Sequence, residues 1–462
     1  MKKKLFCTIL ILFWFSSIAS PQNEIKNNFT IEEKIISLST IWKEADENFP
    51  YFDRFSTNYW DSLYHLKLTE VLHCDNDIEF FGILETFINS LYDAHTKIIF
   101  SNDYPVIKNR NISKPDLCVT WLNDGFYVEF VSKELEKIIQ PGAKILTING
   151  IETEKYANQH LPLEVASKYS HVVRYYARWY LFNGPLGSVI KIKYLSLKGE
   201  ISEIELVRKR NPGSERIYLN KKSLSLGEDN GLIFSINTEN VGYFNMSGMI
   251  TKETVDFFNS KIDSIRTCEG LIIDLRNSSG GSSYGNQIVD YFSKVESYQS
   301  FAMKVRINNS FYKALGAYSD KEIVKNIGGN PRHFEYQDYY KGHAFDSIIY
   351  NSQRNIAPIT IPVVVLVNPS VSSATETMLI SFINARAGVI IGQPTMGSCT
   401  QPLFIPLKNI GYFQVATQKP TYSDGTYFDY IHPDILVNPT LKGYMEGRDE
   451  ILEAGYKYFK NR

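Results

Sequence analysis

The chain has almost no net charge. Its 462 residues carry 49 Lys and Arg against 50 Asp and Glu, a formal −1. That balance lacks the basic stripe that binding to nucleic acid or an anionic membrane requires. Cysteine is scarce, at five residues, with no Cys-x-x-Cys and no histidine spacing suited to zinc. No His-Glu-x-x-His string occurs, so neither a metal nor an organic cofactor is implied. After the first fifteen residues no apolar run reaches membrane-spanning length. No internal repeat and no low-complexity tract is present. What is left is a chain of globular composition, long enough for two or three domains.

The N-terminus has Lys2, Lys3 and Lys4, an apolar run from Leu5 to Phe15, then Ser-Ser-Ile-Ala-Ser. This order reads as a signal peptide over residues 1–19, cut after Ala19 because Pro21 disfavours a cut after Ser20. Cys7 lies inside the apolar run, which does not fit a lipoprotein cleavage site. An uncleaved signal anchor is the alternative. Cleavage takes the formal charge from −1 to −4, since it removes three lysines and no acid. The expected location is exported, periplasmic or secreted, with no integral membrane segment after cleavage. Cys74, Cys118, Cys268 and Cys399 then remain, either paired in an oxidising compartment or held as buried or free thiols. Their low density favours thiols.

Residues 30–97 read as a helical domain. Ile35, Ile36, Leu38, Ile41 and Trp42 fall at helical spacing, as do Phe80, Phe81, Leu84, Phe87, Ile88 and Leu91 over 77–92. Residues 105–210 turn to short strands at Leu117–Trp121, Phe126–Val131, Ala143–Ile148 and Val189–Leu195. Within them, Gln140-Pro-Gly-Ala-Lys-Ile-Leu-Thr-Ile-Asn-Gly150 reads as turn, strand and Asn-Gly turn. Residues 225–440 alternate strand and helix, an α/β pattern. The strands are Gly242–Met246, Gly270–Leu275, Pro362–Val367, Val389–Ile391 and Gly411–Ala416. Helices are expected at Lys252–Ile265, Tyr284–Val295 and Ser373–Ala385. Residues 296–358, rich in Tyr, Asn and charge, read as a long excursion from this core, a candidate lid.

Two segments stand out as chemistry. Leu271-Ile-Ile-Asp-Leu-Arg-Asn-Ser-Ser-Gly-Gly281 and Val363-Val-Val-Leu-Val-Asn-Pro-Ser-Val-Ser-Ser-Ala-Thr-Glu376 each run from a buried strand through a small-residue turn into a helix. Two such turns on one sheet edge can set a serine beside free backbone N–H groups, the parts of an acyl-transfer site. Ser373 opens a helix, where the positive dipole end stabilises developing negative charge. Ser373-Ala-Thr-Glu376 is equally a capping-box pattern, and Ser370 and Ser372 are rival nucleophiles. Gly280 and Gly281 would let backbone approach a ligand closely, or simply form a turn. His95, in Leu91-Tyr-Asp-Ala-His-Thr96, is either a helix cap or a general base near neutral pKa.

The two segments resemble the signature blocks of the C-terminal processing, or tail-specific, serine peptidases of family S41. The resemblance runs over about residues 30–440, with six blocks in order. It implies a ClpP/crotonase-like layered α/β core, an N-terminal helical domain and a PDZ-like β-rich domain at 105–210. It makes Ser373 the nucleophile, with the amides of Ala374 and of Gly280 or Gly281 as oxyanion donors. Asp274 and Arg276 are expected to be a structural ion pair. Where many members have lysine in a Thr-x-Gly-Lys-Gly string, this chain has Thr395-Met-Gly-Ser-Cys399, so Ser398 replaces the lysine and a Ser/Lys dyad is excluded there. His95 resembles the histidine of the tricorn-like and nisin-resistance-type branch. The matching acid is Asp429, in Tyr427-Phe-Asp-Tyr-Ile-His-Pro-Asp434, with Asp93 and Glu376 as other candidates and a bare Ser/His dyad as a further possibility. His333, His343 and His432 read as surface or lining residues.

The resemblance implies an exported serine endopeptidase that cleaves extended peptides or unfolded protein tails. The alternative is a non-catalytic peptide- or ligand-binding protein on the same fold. A small-molecule esterase is a third reading, disfavoured by the peptide-docking module.

Overall fold

The computed structural model describes residues 29–100, 112–209, 215–220, 231–307, 310–317, 319, 331–354 and 356–460. The segment read as a signal peptide lies outside the described residues. No helix among the described residues is long and apolar enough to cross a membrane.

Gly270–Asp274 and Val363–Val367 are buried at every position, as parallel strands covered on both faces must be. They pair in parallel, from Leu271 opposite Val363 to Asp274 opposite Leu366. Val241–Met246 adds on one side; Val389–Gly392 and then Ile435–Leu436 add on the other, all parallel. Leu232–Ile236 closes the far edge antiparallel, giving six strands. One face packs on the helices Lys252–Asn259, Gly285–Phe292 and Ala374–Asn384, through Phe258, Val289, Met378 and Leu379. The other packs on the helix Glu450–Lys460 through Ile272, Val364, Leu366 and Ile451. This is the expected layered α/β arrangement. The expected helix over Lys252–Ile265 is broken, with a second short helix at Ile262–Arg266.

The β-rich stretch has its own cluster, including Val119, Phe126, Ile145, Val173 and Ile192. Its strands Leu117–Leu122, Gly125–Ser132, Lys144–Ile148, Val189–Leu195 and Ile201–Val207 belong to one antiparallel sheet. Asn149 and Gly150 both take positive φ, 49° and 80°, and join Lys144–Ile148 to Ile151–Glu152 as a tight hairpin. The helix Ser170–Tyr180 lies between this unit and the core.

Gly411–Ala416 departs from expectation. It is not a strand of the core sheet. It forms a separate antiparallel sheet between Lys97–Phe100 and Pro402–Leu407. The reason is the surface it covers. Phe413, Val415 and Ala416 share one hydrophobic cluster with Leu38, Trp60 and Phe87 of the helices Ile31–Asn48, Tyr59–His73 and Asp77–Asn89. Thr30 and Glu33 form a capping box at the first helix, and Asn76 caps the third. The helical layer therefore has no core of its own; it shares one with a C-terminal hairpin. Polar ties reinforce it. Arg306 donates to the Asp46 and Glu47 carbonyls at the end of the first helix, and Lys419 pairs with Asp53.

The stretch 296–358 is not a shapeless excursion. It contains two long paired strands, Ser297–Arg306 and Phe345–Gln353, and Gln418–Thr421 pairs with the first of them. Phe413 is fully buried between helices and hairpin. Phe413→Ala is expected to cost about 3–5 kcal/mol in urea unfolding, from lost burial plus the cavity left behind.

Candidate active site

Ser373 sits where Val363–Val367 turns into the helix Ala374–Asn384. Its φ is 58° and ψ −129°, a conformation that L side chains rarely adopt. The turn is held from both sides. The Ser373 amide donates to the Ser398 carbonyl at 2.7 Å, and the Ser373 carbonyl accepts from the Glu376 amide at 2.9 Å. The hydroxyl makes no cap hydrogen bond, so the capping-box alternative does not hold. The rival serines are occupied or buried. Ser370 Oγ donates to Asn277 and Asn368, and Ser372 is buried.

His95 is carried by the turn between the third helix and Lys97–Phe100. The buried Asp93 carboxylate accepts from the Thr96 hydroxyl at 2.6 Å, and that hydroxyl accepts from the Ala416 amide at 3.1 Å. Gln414 donates to the His95 carbonyl at 2.7 Å. Asp93 thus braces the turn. The ring is brought to Ser373: His95 Nε2 lies 3.1 Å from Ser373 Oγ, although 278 residues separate them. Burial holds the imidazole below its ordinary value, Asp93 opposes this and Lys97 adds to it.

Asp429 is not at the ring. Its carboxylate is half-exposed, 3.8 Å from His432 Nε2, and accepts the Tyr430 amide at 2.8 Å. The position beside His95 Nδ1 is taken by Ser398 Oγ, in a short hydrogen bond. Only the backbone of Asp429 reaches the site region, its carbonyl facing Gly397. Among the described residues, then, Ser373 and Ser398 are the hydrogen-bond partners of the His95 ring. Sequence reasoning registered Ser398 only as a missing lysine.

Glu376, the other candidate acid, does not reach the ring either. Its fully buried carboxylate accepts from the Thr395 hydroxyl at 2.5 Å, the Gly397 amide at 2.8 Å and the Ser398 amide at 2.9 Å. It clasps the loop that presents Ser398. The same loop is touched from the β-rich unit, where His171 Nε2 lies 2.8 Å from the Thr395 carbonyl.

Gly280 and Gly281 take φ of 99° and 122°. A Cβ on Gly280 would stand 2.6 Å from Ser373 Cβ and 2.9 Å from the Ala374 nitrogen; on Gly281 it would meet the Ile250 carbonyl at 2.4 Å. Glycine is required at both for close approach. Ala374 is the first residue of its helix, where the amide has no intrahelical partner. Ser278 Oγ lies 2.8 Å from Thr375 Oγ1 and so fastens the glycine loop to the helix Ala374–Asn384. Arg276 pairs with Asp274 as expected, and also with Asp449 at 2.7 Å.

A cleft of about 680 Å³ opens beside Ser373, bounded by Gly281, Ala374, Phe301, Met303 and Gln418. A separate cavity of about 290 Å³ lies between the helix Ser170–Tyr180 and the strand ends, and includes neither Ser373 nor His95. Among the described residues no group of His, Cys, Asp and Glu could hold a metal ion. The four cysteines described are free thiols. Cys399, next to Ser398, is fully buried, which pushes its thiol well up. His343 and His432 are exposed; the side chain of His333 lies outside the described residues.

Burial pushes the Glu376 carboxyl up to about 7, although its hydrogen bonds to Thr395 and to backbone amides act to lower it. The folded value lies above the ordinary 4.5. The group therefore favours the native state fully below 4.5, and that contribution is lost as pH rises through about 7. Glu376→Gln is expected to flatten this pH dependence. Its amide would also face a backbone donor, costing about 1–3 kcal/mol near neutrality in urea titrations.

Residues 240–437 match the model of peptidase family S41. Mature CPAF aligns over 93% of this chain and 97% of that chain, with TM-score 0.63 and 13% identity. CPAF complexed with lactacystin aligns over 94% and 99%, with TM-score 0.61 and 12% identity. A putative peptidase from Parabacteroides merdae gives 94% and 97%, TM-score 0.52 and 16% identity. At such identities the likeness is one of fold. No curated protein sequence matches the chain. The glycine loop, the Ser373 turn and the Ser398 loop all lie inside the stretch 240–437 that matches the model of peptidase family S41.

Proposed function

We propose that this protein is an exported serine endopeptidase that cleaves extended peptides or unfolded protein tails by a Ser/His mechanism. The observation that carries the reading is the contact of His95 Nε2 with Ser373 Oγ. Ser373 Oγ attacks the scissile carbonyl while its proton passes to Nε2. The imidazolium then protonates the departing amine, leaving an acyl-enzyme on Ser373. Water repeats the sequence and releases the second product. The amides of Ala374 and of Gly280 or Gly281 are assigned to the oxyanion.

Ser398, rather than Asp429, orients the base in this reading. With Nε2 as the acceptor from Ser373, Nδ1 carries the proton and donates it to Ser398 Oγ. A neutral hydroxyl fixes the tautomer but cannot stabilise imidazolium as an ionised acid does. Burial supplies a compensating condition: an imidazole held below its ordinary value stays neutral, and so competent as a base, at pH 7. The β-rich unit is assigned to peptide docking, as the PDZ-like resemblance implies. The Lys2–Lys4 start and apolar run support export.

Cleavage of a panel of unstructured peptides tests the reading. Ser373→Ala and His95→Ala are each expected to lower kcat/KM by about 10³-fold or more. Retained peptide binding with no cleavage by the wild type would favour the binding-protein alternative instead.

Ser398→Ala is expected to lower kcat by about 10- to 100-fold, less than loss of an ionised partner would, because only tautomer control is lost. In the wild type, kcat/KM should rise with pH through a value below 6.5 and then level off, since protonated His95 cannot accept the serine proton. A pH–rate profile checks both.

A further inference from the structure

Among the described residues the strand Phe345–Gln353 is hydrogen-bonded on one side only, to Ser297–Arg306, and it is the outer strand of its sheet. Seven of its nine residues are exposed, with Ile348, Ile349 and Tyr350 among them. It carries one charge, Asp346, and no proline. Natural edge strands are usually blunted by charge or proline, and this one is not. Two neighbours in it, Tyr350 and Asn351, line the same cleft as Ser373.

The direction of its backbone groups follows from several independent contacts. The Ile307 amide donates to the Ala344 carbonyl just before the strand, and the Arg354 amide donates to the Glu296 carbonyl just after it. Ser300 Oγ donates to the Tyr350 carbonyl. On the far side of Ser297–Arg306, Met303 stands opposite Pro420, which has no N–H to give. The backbone of Met303 is therefore directed at its other partner, Ile348. Even-numbered residues thus face the inner strand. Alternation then turns the amides and carbonyls of Ser347, Ile349, Asn351 and Gln353 to the open edge. The Asp346 carboxylate caps the Ser347 amide at 2.8 Å.

We propose that this edge is the docking rail for the substrate: an extended peptide segment adds to it as a further antiparallel or parallel strand, hydrogen-bonded to Ile349 and Asn351, and is thereby led into the cleft at Ser373. The inference rests on Ser373 being the nucleophile. None of the residues lining the cleft carries a charge, so the segment entering it is uncharged next to the scissile bond. Backbone pairing supplies affinity that is largely indifferent to sequence, which suits unfolded chains.

The test is Ile349→Pro. Proline is tolerated on an edge strand where the N–H faces outward, so the variant removes the donor and obstructs strand addition with little cost to the fold. Three readouts are compared with the wild type: peptide kcat/KM, anisotropy of a labelled peptide bound in the Ser373→Ala background, and labelling of Ser373 by a small fluorophosphonate. The expected result is a roughly 10-fold fall in kcat/KM, carried by KM, and a matching loss of peptide binding, with labelling still present. Ile349→Val keeps the amide and should restore both. Unchanged peptide binding and cleavage in Ile349→Pro would overturn the proposal while leaving the peptidase reading intact. Absence of labelling and cleavage in the wild type would sink the peptidase reading. That outcome would overturn the substrate rail with it, whatever Ile349→Pro does to peptide binding.

Discussion

One residue holds the candidate site together. The Ser398 carbonyl accepts from the Ser373 amide, its amide donates to the Glu376 carboxylate and its hydroxyl lies against His95 Nδ1. Ser373, His95 and the buried Glu376 carboxylate are thus referred to a single backbone position. Ser373 is kept in its rare conformation by this loop on one side and by its own helix on the other. Such local strain persists only where the surroundings over-determine it. The unusual feature is the chemistry of the tie: the group beside His95 Nδ1 is a neutral hydroxyl and not a carboxylate.

The rest of the architecture serves that contact. His95 comes from the helical N-terminal layer and Ser373 from the parallel sheet. What joins them is the hairpin Pro402–Ala416, which pairs with Lys97–Phe100 and lends Phe413 and Val415 to the helical cluster. The hairpin begins four residues after Ser398, so the loop that contacts the His95 ring is continuous with the sheet that delivers it. Any motion of the helical layer would therefore be felt at both nitrogens of the imidazole. His171 adds a contact from the β-rich unit to the Thr395 carbonyl of the same loop.

How much of this was legible depended on the signal each part leaves. Near-continuous apolar runs gave away the parallel strands 270–274 and 363–367, because strands buried on both faces have few polar positions. The Asn-Gly turn at 149–150 announces itself. The Ser373 and His95 strings were found through resemblance. The Ser398 contact could not be read, since a serine beside a histidine ring looks like any other serine. The search for an acid led to Asp429, whose side chain points to solvent and His432, because a matched string does not fix rotamer or reach. The strands Ser297–Arg306 and Phe345–Gln353 were hidden too. Their partners are far apart in sequence, and the outer strand is exposed on both faces, so no alternation marks it. Gly411–Ala416 has the look of a core strand but covers the helical layer, a choice made by tertiary contact.

The central claim is that His95 is a neutral base with its proton on Nδ1, held there by Ser398, and its lone pair on Nε2 toward Ser373. Nitrogen-15 NMR of histidine-labelled protein, assigned with His95→Gln, reads this directly. The account predicts a pyrrole-type Nδ1 and a pyridine-type Nε2 for His95 at pH 7, with titration at a value below 6.5. The opposite tautomer, or an imidazolium at pH 7, would contradict it.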